Sequence, residues 1–171
     1  MAILKIEKYG NPILQKKAEP VNEINQEILE LAQNMVQTMH AAPGIGLAAP
    51  QVNVSKRLIT VDLSVGEKKD ELIILINPEI LKQEGESTLE EGCLSVPDIH
   101  EKVKRPLQVT VKGINLEGNE IVLEAENLMA RVFCHEIDHI NGKLFFEHLS
   151  PLKKTLIKKK LKKEGEKGRG R

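Results

Sequence analysis

Residues 126–141 read as a helix whose inward face is not purely apolar. Leu128 and Val132 stand four apart, and their line continues through His135 and His139, positions that share one helix face. Asn141-Gly142 supplies a C-terminal stop. A buried polar group without a partner costs about 2–7 kcal/mol, so an inward pair of stacked imidazoles needs something to satisfy it. Histidines at this spacing can both reach one metal ion. Glu136, turned roughly 100° around the helix, would lie beside such an ion without ligating it and could work on a bound water. The alternative is a solvated helix with two histidines four apart by chance, and the apolar line through Leu128 and Val132 argues against it.

The rest of the chain supplies elements to wrap such a helix. Ile24, Ile28, Leu31, Met35 and Met39 form one apolar stripe over residues 23–41, a helix that must stop by Pro43. Gly44-Ile45-Gly46-Leu47-Ala48-Ala49-Pro50-Gln51 follows as a loop with little side-chain bulk. Leu58-Ile59-Thr60-Val61 and Leu72-Ile73-Ile74-Leu75-Ile76 are strand signals, the second ended by Asn77-Pro78. Val103 to Lys112 alternates around Val109 and Val111, and Glu117-Gly118-Asn119 reads as a hairpin turn before Ile121-Val122-Leu123. A third helix begins after Ser150, with Pro151 at its first position. Strands clustered between helices, without strand–helix alternation, indicate α+β. The expected fold packs antiparallel strands around a central helix bearing the HExxH motif, with an N-terminal and a C-terminal helix beside them.

Composition narrows the class further. The 171 residues are 40% hydrophobic and only 2% aromatic, enough apolar content for one core and too much for a disordered chain. No apolar run is long enough to span a membrane, and Met1-Ala2-Ile3-Leu4-Lys5 runs into Glu7 without a signal-peptide core. Two cysteines make no disulfide framework, so a reducing, cytoplasmic setting is expected. The net charge of zero is a cancellation: residues 153–171 carry ten basic and two acidic residues, giving +8 against −8 in residues 1–152. We therefore expect a catalytic domain over 1–152 and a basic helix and tail over 153–171. The tail suits a polyanion such as RNA, or equally a solvated helix that frays at Gly165, Gly168 and Gly170.

A hydrolytic metal centre needs a third protein ligand and an open position. Cys93, Cys134, His40, His100, His148 and the carboxylates are the candidates. Cys134 adjoins His135 and points roughly 100° away from that pair, so a buried small hydrophobe is its better description. Cys93 lies in Glu91-Gly92-Cys93-Leu94-Ser95, where a glycine allows close backbone approach. Spacing alone leaves His148 and Glu147 open as ligands, as in a zinc endopeptidase.

Gly44 to Gln51, Glu91 to Ser95 and His135 to His139 together resemble the three motifs of the peptide deformylases, in the family's order, and the likeness runs from Tyr9-Gly10-Asn11-Pro12 to Phe145. The resemblance implies that Cys93, His135 and His139 ligate one divalent metal ion, Fe²⁺ physiologically, with Zn²⁺, Ni²⁺ or Co²⁺ as substitutes. It implies Glu136 as general acid–base, and the Gln51 amide and Leu94 N–H as oxyanion donors. Gly46 would lie against substrate backbone, with Ile45, Leu128 and Val132 lining the methionine pocket. Glu91 would orient its neighbours, and Arg105 would serve a structural ion pair. Cys134 and Ile140 stand where relatives often carry Gln and Leu, and His100 where they often carry Arg or Tyr. The implied activity is hydrolytic removal of the formyl group from N-formyl-methionine of nascent polypeptides. The chain would act as a monomer, away from membranes, with the basic tail on ribosomal RNA. A catalytically silent ribosome-binding protein is the remaining rival, and the intact motif residues argue against it.

Overall fold

Among residues 2–169, which this computed structural model describes (side chains to residue 165), seven strands surround one helix. The order is α1 (Gln26–Ala41), β1 (Gly46–Ala48), β2 (Leu58–Val61), β3 (Ile73–Glu84), β4 (Ser87–Cys93), β5 (Val96–Arg105), β6 (Gln108–Ile114), β7 (Glu120–Glu126), α2 (Asn127–Ile140) and α3 (Pro151–Arg169). Five strands form a sheet in the order β1-β2-β3-β6-β7, and β4 with β5 forms a separate hairpin. Every strand pairing is antiparallel. The fold is the α+β arrangement expected, with α2 at its centre.

The five-stranded sheet lies between two helices. Ile59, Val61, Leu75, Val109 and Val111 pack against Ala130, Phe133, Ile137 and Ile140 of α2. Ile28, Met35 and Met39 of α1 meet Leu47, Leu58 and Ile76 on the other side. All four residues of β2 are buried, which is why that strand reads as a continuous apolar run instead of an alternating one. A third cluster joins Val96, Ile99 and Val103 of β5 to Phe145, Phe146 and the α3 residues Ile157 and Leu161. Burying the last two contributes roughly 3–6 kcal/mol, so the basic helix is anchored to the body by its apolar side.

Local chemistry sets the helix ends. The Asn25 side chain accepts from the Ile28 N–H at 3.0 Å and starts α1. Gly142 ends α2 with φ +79, and a Cβ there would lie 2.8 Å from the Gln15 carbonyl, so the position needs glycine on both counts. The backbone of α3 remains helical through Gly165 and Gly168 to Arg169, two of the positions where the alternative reading has it fray; Gly170 lies outside the described residues.

Three expectations are corrected. The stretch Gly44–Gln51 is not all loop: Gly46–Ala48 pairs with β2, and Ala49–Val52 is a 3-10 turn. Strand β3 does not end at Asn77-Pro78. It continues through them to Glu84 with a register shift between Ile76 and Glu79, a bulge that tolerates proline. The Asn77 side chain exchanges hydrogen bonds of 2.9 Å with both the N–H and carbonyl of Val21, and that pairing holds the irregular backbone. The strand expected over Val103–Lys112 is two strands, since β5 ends at Arg105 and β6 begins at Gln108, with Pro106 between them.

Candidate active site

Two elements bring the chemistry together. Helix α2 presents His135 and His139, and the β4–β5 turn presents Cys93. Cys93 Sγ lies 3.3 Å from His139 Nε2, which lies 3.2 Å from His135 Nε2. Among the described residues, these three form the one cluster of potential ligand atoms that all lie within 4.8 Å of one another. Ligand atoms on a tetrahedral ion with bonds of about 2.0–2.3 Å stand about 3.3–3.7 Å apart, so the donors fit such an ion by spacing and by type. The His135 tautomer is set from behind: Nδ1 lies 3.0 Å from Glu91 Oε1. Donating there leaves the Nε2 lone pair facing the cluster. The His135 ring also stacks on Phe145, with centroids 6.2 Å apart.

Charge in the cluster is strongly coupled. Burial pushes the Cys93 thiol up, but the two imidazoles outweigh it and hold it well below its ordinary value. Burial pulls His135 down, and its bonds to Cys93 and Glu91 lift it well above the ordinary imidazole range. A thiolate beside two imidazoles asks for positive charge among the three, from a proton or from a cation. Burial raises Glu91 too, but hydrogen bonds from His135 and Arg105 bring it down to about 2.

Glu136 sits beside the cluster and is 4% exposed. Its Oε1 is buried without a hydrogen-bond partner, and burial lifts its carboxyl above the ordinary value against the pull of both imidazoles. The Gln51 side chain is fixed from both ends: Oε1 accepts from the Ala48 N–H at 3.0 Å, and Nε2 donates to Ser95 Oγ at 3.2 Å while lying 3.7 Å from Cys93 Sγ. Leu94 follows Cys93 in the turn, and its carbonyl accepts from Lys8 Nζ at 2.8 Å.

These groups open onto a cavity of about 480 Å³. Ile45, Gly46, Gln51, Cys93, Leu94, Leu128, Val132, His135 and Glu136 all line it, whereas His139 lies behind the wall, almost wholly buried. His100 stands at the rim against Gly92. Cys134 is buried, and burial raises its thiol to about 11. His40 is engaged elsewhere, 2.8 Å from Asp62. His148 is 36% exposed and lies outside the ligand cluster, with Nε2 at 2.6 Å from Asp138 Oδ2 and 3.0 Å from Arg105 Nη1.

Against known proteins, the sequence matches the model of the polypeptide deformylase family over residues 3–155. The chain belongs to the peptide deformylase family. A peptide deformylase from Thermodesulfovibrio yellowstonii is 53% identical over 162 residues, 95% of this chain and 98% of the relative. One from Halothermothrix orenii is 52% identical, covering 92% of this chain and all of the relative. The crystal structure of a peptide deformylase from Legionella pneumophila superposes with a TM-score of 0.89 at 41% identity, over 99% of each chain. Membership makes this chain a hydrolase. No described helix is long and apolar enough to cross a membrane.

Of the ionic frame behind the cluster, the orienting Glu91 and the ion pair of Arg105 were expected, and the parts of Arg131 and Asp138 were missed. Glu91, expected to orient its neighbours, accepts from Arg105 Nε and Nη2 at 3.0 Å each and from Arg131 Nη1 at 2.5 Å. Arg105 also donates to Asp138 at 2.6 Å. The one available hint was Arg131 itself, a charge four residues before His135 on the inward face of a helix.

Proposed function

We propose that this chain removes the formyl group from N-formyl-methionine at the start of nascent polypeptides, using a divalent metal ion held by Cys93, His135 and His139. The carrying observation is the convergence of those three donors beside a buried Glu136 oxygen with no partner, at the wall of a largely apolar cavity. When bound, the ion would supply Lewis-acid polarisation and lower the pKa of a water. Family resemblance favours Fe²⁺, and the mixed thiolate and imidazole donors also suit Zn²⁺, Ni²⁺ or Co²⁺.

The protein's own groups carry the remaining work. Glu136 takes a proton from the attacking water, whose oxygen adds to the formyl carbon. Charge developing on the formyl oxygen is met by the Leu94 N–H and the Gln51 amide, each worth about 3–4 kcal/mol in such a role. Because Ala48 fixes the Gln51 oxygen, the amide nitrogen stays aimed at the Cys93 side. Glu136 then passes the proton to the amine nitrogen as the C–N bond breaks, and formate leaves. Ile45, Leu128 and Val132 take the unbranched methionine side chain, and Gly46 admits the peptide backbone.

Paired variants test the reading. Glu136→Gln should retain the metal and lose formate release from formyl-Met peptides by about 100-fold or more. Cys93→Ala should lose the metal, and His148→Ala should keep it. Full activity in Glu136→Gln, or metal lost from His148→Ala alone, would sink the assignment.

The basic helix supports a second, separate proposal, contact with ribosomal RNA. Lys153, Lys154 and Lys158 are paired with Glu101 and Glu147. Lys159, Lys160, Lys162 and Lys163 are exposed, with no carboxylate within 4.0 Å among the described residues.

A further inference from the structure

The hairpin that carries Cys93 belongs to a different sheet from the one that α2 packs on. Polar contacts tie it to α2, and Arg131 makes four of them. This side chain is 4% exposed and stands one helical turn before His135. Nη1 donates to Glu91 Oε2 at 2.5 Å and to the Val103 carbonyl at 2.8 Å. Nη2 donates to the Ser87 carbonyl at 2.7 Å and contacts Ser87 Oγ at 3.4 Å. One guanidinium therefore holds the start of β4, the middle of β4 and the far strand β5 against α2. A planar five-donor group can do this and an ammonium cannot.

Glu91 is the meeting point. Its Oε2 is shared by Arg131 and Arg105, and its Oε1 by Arg105 and His135 Nδ1. Arg105 has other partners in Asp138 and His148. Arg131 has Glu91 as its one carboxylate among the described residues. Removing Arg131 would leave the buried Val103 carbonyl and the half-buried Ser87 carbonyl without this donor and free β4 to shift relative to α2, carrying Glu91 and Cys93 together.

We propose that Arg131 is a positioning residue, setting the distance between the Cys93 hairpin and the two histidines and, through Glu91, the ring angle of His135. It touches none of the three donors. This rests on the metal reading above, and the experiment separates the two. Zn²⁺ affinity is measured by chelator competition on metal-free wild-type protein, Arg131→Met, Arg131→Lys, Glu91→Gln and the Arg131→Met/Glu91→Gln pair, and absorption spectra of the Co²⁺-loaded forms are recorded. Arg131→Met should bind Zn²⁺ about 10–100-fold more weakly and shift the Co²⁺ bands, with the far-ultraviolet circular dichroism retained. Arg131→Lys should fall between it and wild type. The double variant should lose less than the product of the two single losses, because both act on one carboxylate. A folded Arg131→Met with wild-type affinity and wild-type Co²⁺ bands would overturn the proposal. If Arg131→Met does not fold, wild-type affinity and bands in folded Arg131→Lys would overturn it instead. A wild-type protein that binds neither ion would overturn the metal reading along with this one.

Discussion

Gly46→Ala tests whether the Glu136 carboxylate must stand where it does. A Cβ on residue 46 would lie 2.5 Å from Glu136 Oε2, 3.0 Å from its Cδ and 2.9 Å from Val132 Cγ1. The backbone of residue 46 cannot retreat, because β1 is registered on β2 through Gly46 and Val61. Val132 is buried on α2. Glu136 Oε1 has no hydrogen bond to resist a push, so the carboxylate yields most, while Val132 Cγ1 gives by about 0.5 Å to reach ordinary contact. Reaching an ordinary contact of about 3.4 Å requires Oε2 to move about 0.9 Å. A displacement of about 1 Å in a reacting group costs about 100-fold in rate, or about 2.7 kcal/mol. The fold should lose about 1–2 kcal/mol and Tm should fall by about 2–8 °C. The metal content should not change, since none of the three donors is displaced. Steady-state formate release from a formyl-Met tripeptide measures the effect, which should appear mainly in kcat. If kcat stays within about threefold while KM rises, Gly46 only admits substrate backbone, and the position inferred for Glu136 is wrong.

Away from the site, Asp62 accepts from Ser64 N–H and Oγ–H and from the Gly66 N–H, and lies against His40 Nε2. Burial raises its carboxyl, and these bonds bring it below the ordinary value of 3.8. Its stabilisation is therefore present above about pH 4 and lost as pH falls through the folded value. Asp62→Asn should cost about 1.5–3 kcal/mol near neutrality, and urea unfolding should show that deficit shrinking below pH 3.8; a deficit constant with pH would refute it. Deleting residues 153–171 would also strip Ile157 and Leu161 from the core, so replacing Lys159, Lys160, Lys162 and Lys163 with Gln is the cleaner test of the tail. Ribosome association should weaken and its logarithmic salt slope should fall by about 3, with hydrolysis of short peptides unchanged. An unchanged slope would remove RNA contact from those lysines.

The parts of the fold that could be read from the sequence are those whose partners are near in the chain. The α1 stripe, the Glu117-Gly118-Asn119 turn, the Asn141-Gly142 stop and the placing of His135, Glu136 and His139 on one helix all follow from offsets of a few residues. The corrected parts depend on partners far away. β3 passes through Asn77-Pro78 because the Asn77 side chain pairs with Val21, 56 residues earlier. The β4 strand is hidden because Glu91 is a buried charge where an alternating pattern asks for an apolar residue, and its compensation comes from Arg105 and Arg131 on other elements. The same division holds in the site. The spacing of His135, Glu136 and His139 suggests a metal site and the family resemblance adds Cys93, but the 3.2–3.3 Å spacing of the three donors is the product of a helix and a separate hairpin tied by guanidinium bonds. Local patterning breaks at Glu91, Arg105 and Arg131, and such breaks concentrate at functional sites. A buried charge beside an apolar residue and one turn from a histidine, such as Arg131 next to Val132 and before His135, is therefore the mark that a positioning frame leaves in a sequence.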